Sequence, residues 1–459
     1  MNPRGVYILC AVQYLLPVLI HAQSWTSAAV PGNVLNIRQV YANSTRDTIY
    51  CGGAIEVDET INFALTNPVM RYAQGRWDTL GVLRGLIHSM VLYRDTLIAG
   101  GEFLAASDLP CEGIAYYDGT QWHPYGDLER SVRRLRVLDN ELYAVGGFDL
   151  ADGQPAPGVA KRVGNSWQPV GWFNNQGSIL DIAKFNENLV VIGNVDMDQG
   201  RGIAEWNGAS WELLGPGILG GFSGGQCLTV YQDQLYVGGQ ISITAGNAGQ
   251  NIMRWDGEQF HPLGQGIQWW AGNTTSIATV LNMIEHNGKL FVGGGFRAAG
   301  GVEAMGLATW DGSEWCGVHG DFQGAGGLWA MDFYQDTLFA ACGAVFEGDS
   351  VNRAVKFIGQ EYEQVCSGQV SVESNDLGPE ISLHPNPTST TIQVQVPFSG
   401  PTLLFVHNAL GQEFRRKEVR HPLGTDLKID VSDLVPGIYY VSLRSSTGLP
   451  YSLKFVVER

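Results

Sequence analysis

Between Leu281 and Gly320 the apolar positions fall into four short runs separated by polar turns. Asn282 to His286 reads as a first strand, and Asn287-Gly288 after it is the strongest short hairpin signal. Lys289 to Gly294 gives a second strand, and a variable loop leads to a third, Gly306 to Trp310. Asp311-Gly312 turns the chain into a fourth, Glu314 to Val318. The same plan recurs along the chain. Other first hairpins are expected at Arg94-Asp95, Asp139-Asn140, Glu187-Asn188, Asp233-Gln234 and Gln335-Asp336. Second hairpins are expected at Asp118-Gly119, Gly164-Asn165, Asn207-Gly208, Asp256-Gly257 and Gly359-Gln360. An aromatic closes each unit: Trp77, Trp122, Trp167, Trp211, Phe260, Trp315 and Tyr362, at intervals of 45, 45, 44, 49, 55 and 47 residues. Ahead of each stands a glycine pair or its counterpart: Gly52-Gly53, Gly100-Gly101, Gly146-Gly147, Gly193-Asn194, Gly238-Gly239, Gly293-Gly294 and Cys342-Gly343.

Seven repeats of one four-stranded antiparallel motif predict an all-β architecture, a seven-bladed β-propeller over residues 23–368. The glycine pair would end the second strand, where the backbone bends or passes close to a neighbour. The repeated Trp would fill the space between blades. Ser24-Trp25 to Gly32 reads as an extra fourth strand that zips onto the last unit, in competition with Glu361 to Cys366. This grammar resembles the kelch and galactose-oxidase-like propellers, whose blades also carry a glycine pair and later aromatics. The third-strand aromatics Tyr117, Trp206, Trp255 and Trp310 precede the turn and so depart from the kelch spacing. The copper ligands and cross-linked Tyr-Cys of galactose oxidase fall on no motif of this chain, so no cofactor is expected.

After Gly368 the pattern changes. Residues 369–380 form a polar linker, and residues 381–459 alternate in short strands: Thr391 to Val396, Thr402 to His407, Leu427 to Val431, Gly437 to Leu443 and Tyr451 to Val457. These predict a small C-terminal β-sandwich. His384-Pro385-Asn386-Pro387, Asn408 to Gly411, Ile429 to Leu434, Pro436-Gly437-Ile438-Tyr439-Tyr440 and Lys454 to Val456 follow in order. Together they resemble the C-terminal sorting domain of type IX secretion cargo, with Pro385, Asn386, Pro387, Gly411, Gly437 and Tyr439 as its motif residues. The resemblance implies an outer-membrane translocon as partner. It also implies a product secreted from, or attached to the surface of, a Gram-negative bacterium.

Residues 1–22 have the positive start, apolar stretch and small-residue cleavage region of a signal peptide. No other segment could span a membrane as a helix. Net charge is −17, which repels nucleic acid and anionic lipid, so nucleic-acid binding is not expected. Six cysteines follow the signal, and ring closure would bring Cys51 and Cys342 together as the first disulfide candidate.

No catalytic residue stands out. His123 and His261 share one Gln-aromatic-His-Pro context at equivalent places in different units, so they belong to the repeat. Zinc spacings, Walker A and His-Glu-x-x-His motifs are absent, and no metal is expected. Long aromatic loops are more informative. Trp172-Phe173, Phe222 and Trp269-Trp270 lie in Gly/Asn-rich joints that break the repeat, and flat rings beside amides can stack on sugars or anchor a protein. The expected function is an exported, non-catalytic binding module for a polysaccharide or protein ligand. A carbohydrate-active hydrolase or lyase and a structural surface-layer component are the alternatives. Convergent carboxylate, His or Arg side chains at the channel mouth would favour the enzyme, a dry aromatic shelf the binder.

Overall fold

In this computed structural model the first hairpins of the second to seventh repeats close through two residues in the left-handed region. These are Arg94-Asp95, Asp139-Asn140, Asn186-Glu187, Gln232-Asp233, Asn287-Gly288 and Gln335-Asp336. Such turns match the twist of the strands that they join. Two of them fall one residue earlier than expected, because Asn188 and Gln234 are already paired with Phe185 and Tyr231. At the second hairpins, Asp118, Asn207, Asp256 and Asp311 each accept two backbone N–H groups with one side-chain oxygen. The polar punctuation of the sequence thus becomes local hydrogen bonding.

The structure describes residues 25–28, 30, 37–43, 45–53, 66–172, 177–197, 200–219, 224–269, 278–318, 322, 327–342, 344–346, 349–351, 354–357, 362–367, 382–396, 400–408, 413–421, 425–445 and 451–458. The expected signal peptide and linker lie outside them. Contacts divide the chain into two units, 1–370 and 371–459. Among the described residues no helix is long and apolar enough to cross a membrane.

Among the described residues the first unit holds seven successive main antiparallel arrays, numbered here sheets 1 to 7, beside three small sheets of two or three strands. Their first strands are Gln39–Asn43, the second half of Arg76–Tyr93, Val132–Leu138, Ile179–Phe185, Gly224–Tyr231, Thr279–His286 and Leu328–Tyr334. The strand Arg76–Tyr93 ends sheet 1 and begins sheet 2, fusing the two. Among the described residues no sheet closes on itself. Contact instead runs from each first strand to the next around the series, and from Leu328–Tyr334 back to Gln39–Asn43. The core follows the same circuit. Each large apolar cluster of this unit lies between two successive sheets, and one joins Ala330, Tyr334 and Phe339 of sheet 7 to Val40, Ile49 and Met70 of sheet 1.

First strands are sheet edges, and their outward N–H groups need partners. Side chains from the preceding sheet supply several: Tyr41 Oη accepts from Leu92 N (3.1 Å), and Ser89 Oγ from Leu135 N (3.0 Å). Asp181 Oδ2 accepts from Leu228 N (3.1 Å), and Asp332 Oδ2 from Ala42 N (2.7 Å). Asp181 is fully buried and also takes a two-pronged pair from Arg136 at 3.0 and 2.8 Å. The repeated Trp residues seal the outer parts. Trp167, Trp211 and Trp315 are buried, and each donates its indole N–H at 2.8 Å to the carbonyl of Tyr125, Val170 or Leu263.

Two assignments change at the seam. Trp25–Ser27 is the fourth strand of sheet 7, with Trp25 opposite Phe357 just as Trp122 lies opposite Tyr117. The seventh repeat aromatic is therefore Trp25, not Tyr362. Glu363–Cys366, the competing segment, adds a fifth strand to sheet 6 beside Trp315–Val318 and is fastened there by a Cys316–Cys366 disulfide. The expected Cys51–Cys342 bond is not formed. Counted from the hairpin, Cys51 is fourth in Thr48–Gly52 and Cys342 sixth in Thr337–Cys342. Each is a buried thiol in a different core cluster, and burial raises the pKa of Cys51.

The second unit packs a three-stranded sheet (Ser382–His384, Thr391–Val396, Thr425–Asp430) against a four-stranded one (Glu413–His421, Gly400–Asn408, Gly437–Ser445, Tyr451–Val457). Both sheets contribute to one apolar core around Val394, Val406, Tyr439 and Phe455. Glu413–His421, with Arg415, Arg416 and Lys417, is a charged edge strand that hydrophobic alternation did not reveal.

Candidate functional site

The first strands carry a device that the sequence pattern concealed. In sheets 2 to 7 the pairing of first with second strand shifts by one residue near its start. The residues skipped are His88, Arg133, Leu180, Gln226, Leu281 and Trp329, and Arg38 stands at the matching place just ahead of Gln39 in sheet 1. A bulge turns the extra side chain out of the regular alternation. Neighbours such as Ile87, Val132 and Leu328 are fully buried, whereas these seven residues all reach solvent. One side chain per sheet is therefore presented at the same level of the circuit.

Sheets 7, 1, 2 and 3 make this level polar and connected. The Arg38 guanidinium lies over the Trp329 ring, 5.2 Å from its centre. Arg133 donates from Nη1 to His88 Nε2 at 3.1 Å and forms an ion pair with Glu102 at 2.8 Å. Ser131 Oγ donates to the same carboxylate at 3.0 Å. Burial, then the charge of Arg133, pushes His88 down to about 4, so the ring is neutral at pH 7. Burial alone would raise the Glu102 carboxyl, but Arg133 and Ser131 hold it below its ordinary value. Sheets 4 to 6 contribute Leu180, Gln226 and Leu281 at this level.

Of the aromatic loop residues expected to bind, Trp269 is half-buried against the core between sheets 5 and 6, with the Arg297 guanidinium over its ring at 5.3 Å. Phe296, Met305 and Phe322 line a small cavity beside it. Trp172 is 61% exposed. Phe173, Phe222 and Trp270 lie outside the described residues. His123 and His261 bond to Asp118 and Asp256, the residues that open their own turns, and so serve the repeat. The only clustered metal-ligating set among the described residues is Glu314, Cys316 and Cys366, and its sulfurs are joined to each other.

In the second unit the motif residues have a structural role. Asn386 donates from Nδ2 to Lys454 O (3.1 Å) and accepts from Val456 N (2.9 Å), stitching the Pro385-Asn386-Pro387 segment to the last strand. Both X–Pro bonds there are cis. Gly437 starts its strand, and buried Tyr439 donates its hydroxyl to Val435 O at 2.9 Å. Gly411 lies outside the described residues.

Residues 382–458 match the secretion system C-terminal sorting domain. This domain carries the sorting motifs. It marks the protein as secreted or held on the outer-membrane surface of a Gram-negative bacterium, with the secretion system as partner. No curated protein matches the sequence. Among solved structures the chain is similar to a fungal alcohol oxidase of the AA5 family in complex with copper, at 12% identity and a TM-score of 0.42, covering 95% of this chain and 99% of that one. It is also similar to YjhT (12% identity, TM-score 0.34, 62% and 95% covered) and to the GH74 enzyme of Niastella koreensis (12%, 0.27, 92% and 78%). Likenesses this distant carry no argument about activity.

Proposed function

We propose that residues 23–368 form a seven-bladed β-propeller that acts, once exported, as a non-catalytic binding module for a polysaccharide or protein ligand. The circuit of first strands supports the ring, and the seven re-aimed residues support a binding level at its mouth. That level is the observation that carries the reading. Trp269 and Trp270, with Trp172, Phe173 and Phe222, would extend the contact along the long loops.

Convergence of His88, Glu102 and Arg133 also favours a second reading, a carbohydrate-active hydrolase or lyase. The proton chemistry of Glu102 argues against the hydrolase. Hydrolysis of a glycosidic bond draws on a carboxylic acid kept protonated near neutral pH. Here Glu102 is shifted the other way, and the Nε2 lone pair of His88 already accepts from Arg133. The test is to incubate the purified full chain with a polysaccharide panel, following binding and new chain ends in the same samples. Saturable binding without new ends, weakened by replacing both Trp269 and Trp270 with Ala, is the expected result. New reducing or unsaturated ends would establish the enzyme instead.

A further inference from the structure

We infer that the polar arc Trp329–Arg38–His88–Arg133 is a subsite for a single carboxylate on an acidic sugar. The inference rests on the binding-module reading and names what that site takes.

The chain as a whole carries −17, so a long polyanion is repelled beyond a few ångströms of the surface. Against that background, three consecutive bulge-level positions are Arg38, His88 and Arg133. The carboxylate beside them, Glu102, is already held by Arg133 and Ser131. Arg38 is exposed and forms no ion pair with any described residue. Its guanidinium carbon lies over the Trp329 ring, and a guanidinium offers paired N–H donors that match a planar, two-oxygen acceptor. Arg133 Nε is buried and has no hydrogen-bond partner among the described residues, so this guanidinium is not saturated by Glu102 and His88. Buried donors of this kind are normally satisfied.

Trp329 separates a sugar from other carboxylates. It is half-buried, so part of its side chain reaches solvent. A pyranose can lay its apolar face on the ring while its carboxylate meets Arg38, whereas an acidic peptide would use only the second contact. A locally cationic arc in an acidic molecule reads one isolated charge at short range.

Titration calorimetry on the full chain would use trigalacturonate, its methyl ester and triglutamate as probes. Trigalacturonate is expected to bind, and either esterification or Arg38→Gln to weaken it by about tenfold or more, the worth of a charge-assisted bidentate contact. Arg38→Gln should leave the ester unchanged, and Trp329→Leu should weaken acid and ester alike. Failure of trigalacturonate to bind, or equal affinity for acid and ester, overturns the inference. Triglutamate bound in preference to the sugar overturns the sugar assignment. A neutral polysaccharide bound without regard to Arg38 would preserve the binding module and refute the carboxylate subsite.

Discussion

Asp181 and Asp332 sit on first strands, and each closes a seam between sheets, yet their chemistry is opposite. Burial would raise Asp181, but Arg136, Arg134 and the Leu228 N–H hold it ionised. Replacing Asp181 by Ala removes the buried partner of Arg136 and Arg134 and leaves the Leu228 N–H unpaired, so chemical unfolding should report a loss of about 1–3 kcal/mol. Asp332 forms no ion pair with any described residue, and the charge of Arg136 is the last of the influences that lower it. Although it accepts from Ala42 N and Phe333 N, burial pushes its carboxyl up to about 6. Folded Asp332 therefore holds a proton that the unfolded chain releases between about pH 4 and pH 6. Its stabilising contribution is complete below pH 4 and lost as the pH rises through 6. Asp332→Asn stays neutral throughout. The stability of wild type minus that of the variant should fall by up to roughly 3 kcal/mol from pH 4 to pH 7. A flat difference in urea titrations would contradict the assignment.

Strand pairs carry the next set of expectations. Reducing the Cys316–Cys366 disulfide opens a loop of 50 residues and frees Glu363–Cys366 from sheet 6. By loop entropy this should cost about 4 kcal/mol, visible as a lower urea midpoint for the Cys316→Ser/Cys366→Ser variant. Asn386→Ala removes two hydrogen bonds to the final strand, and a loss of about 1–2 kcal/mol is expected in the second unit. Strands and turns of this kind were legible beforehand because they rest on local rules. Asn-Gly and Asp-Gly turns, alternating runs and the repeated Trp each act within a few residues. The bulge level was not legible. Nothing distinguishes His88 or Trp329 in a linear pattern, and Arg133 looks like one more polar residue among Arg134 and Arg136. Their common position exists only once first and second strands are registered. The disulfide was missed for the same reason: Cys316 and Cys366 meet because sheet 6 takes a fifth strand, which no periodicity announces.

At the scale of the whole molecule, the circuit depends on one short segment. Trp25–Ser27 completes sheet 7, and Trp77 donates its indole N–H to Ala28 O at 2.9 Å, tying the same segment to sheet 1. Removing residues 23–32 should loosen both neighbours, and hydrogen exchange should accelerate first in Ala354–Phe357 and Thr66–Ala73 rather than uniformly. Distant sheets such as 4 and 5 should keep their protection. The segment also imposes an order on manufacture. Trp25 leaves the ribosome more than three hundred residues ahead of its partner Phe357. Sheets 1 to 6 can stack as they are made, while the last gap must wait for nearly the whole body. The sorting domain, residues 382–458, follows Phe357 closely along the chain. The export address is thus written just after the clasp, so a chain cut short before its seventh sheet is complete also lacks the label for the outer surface.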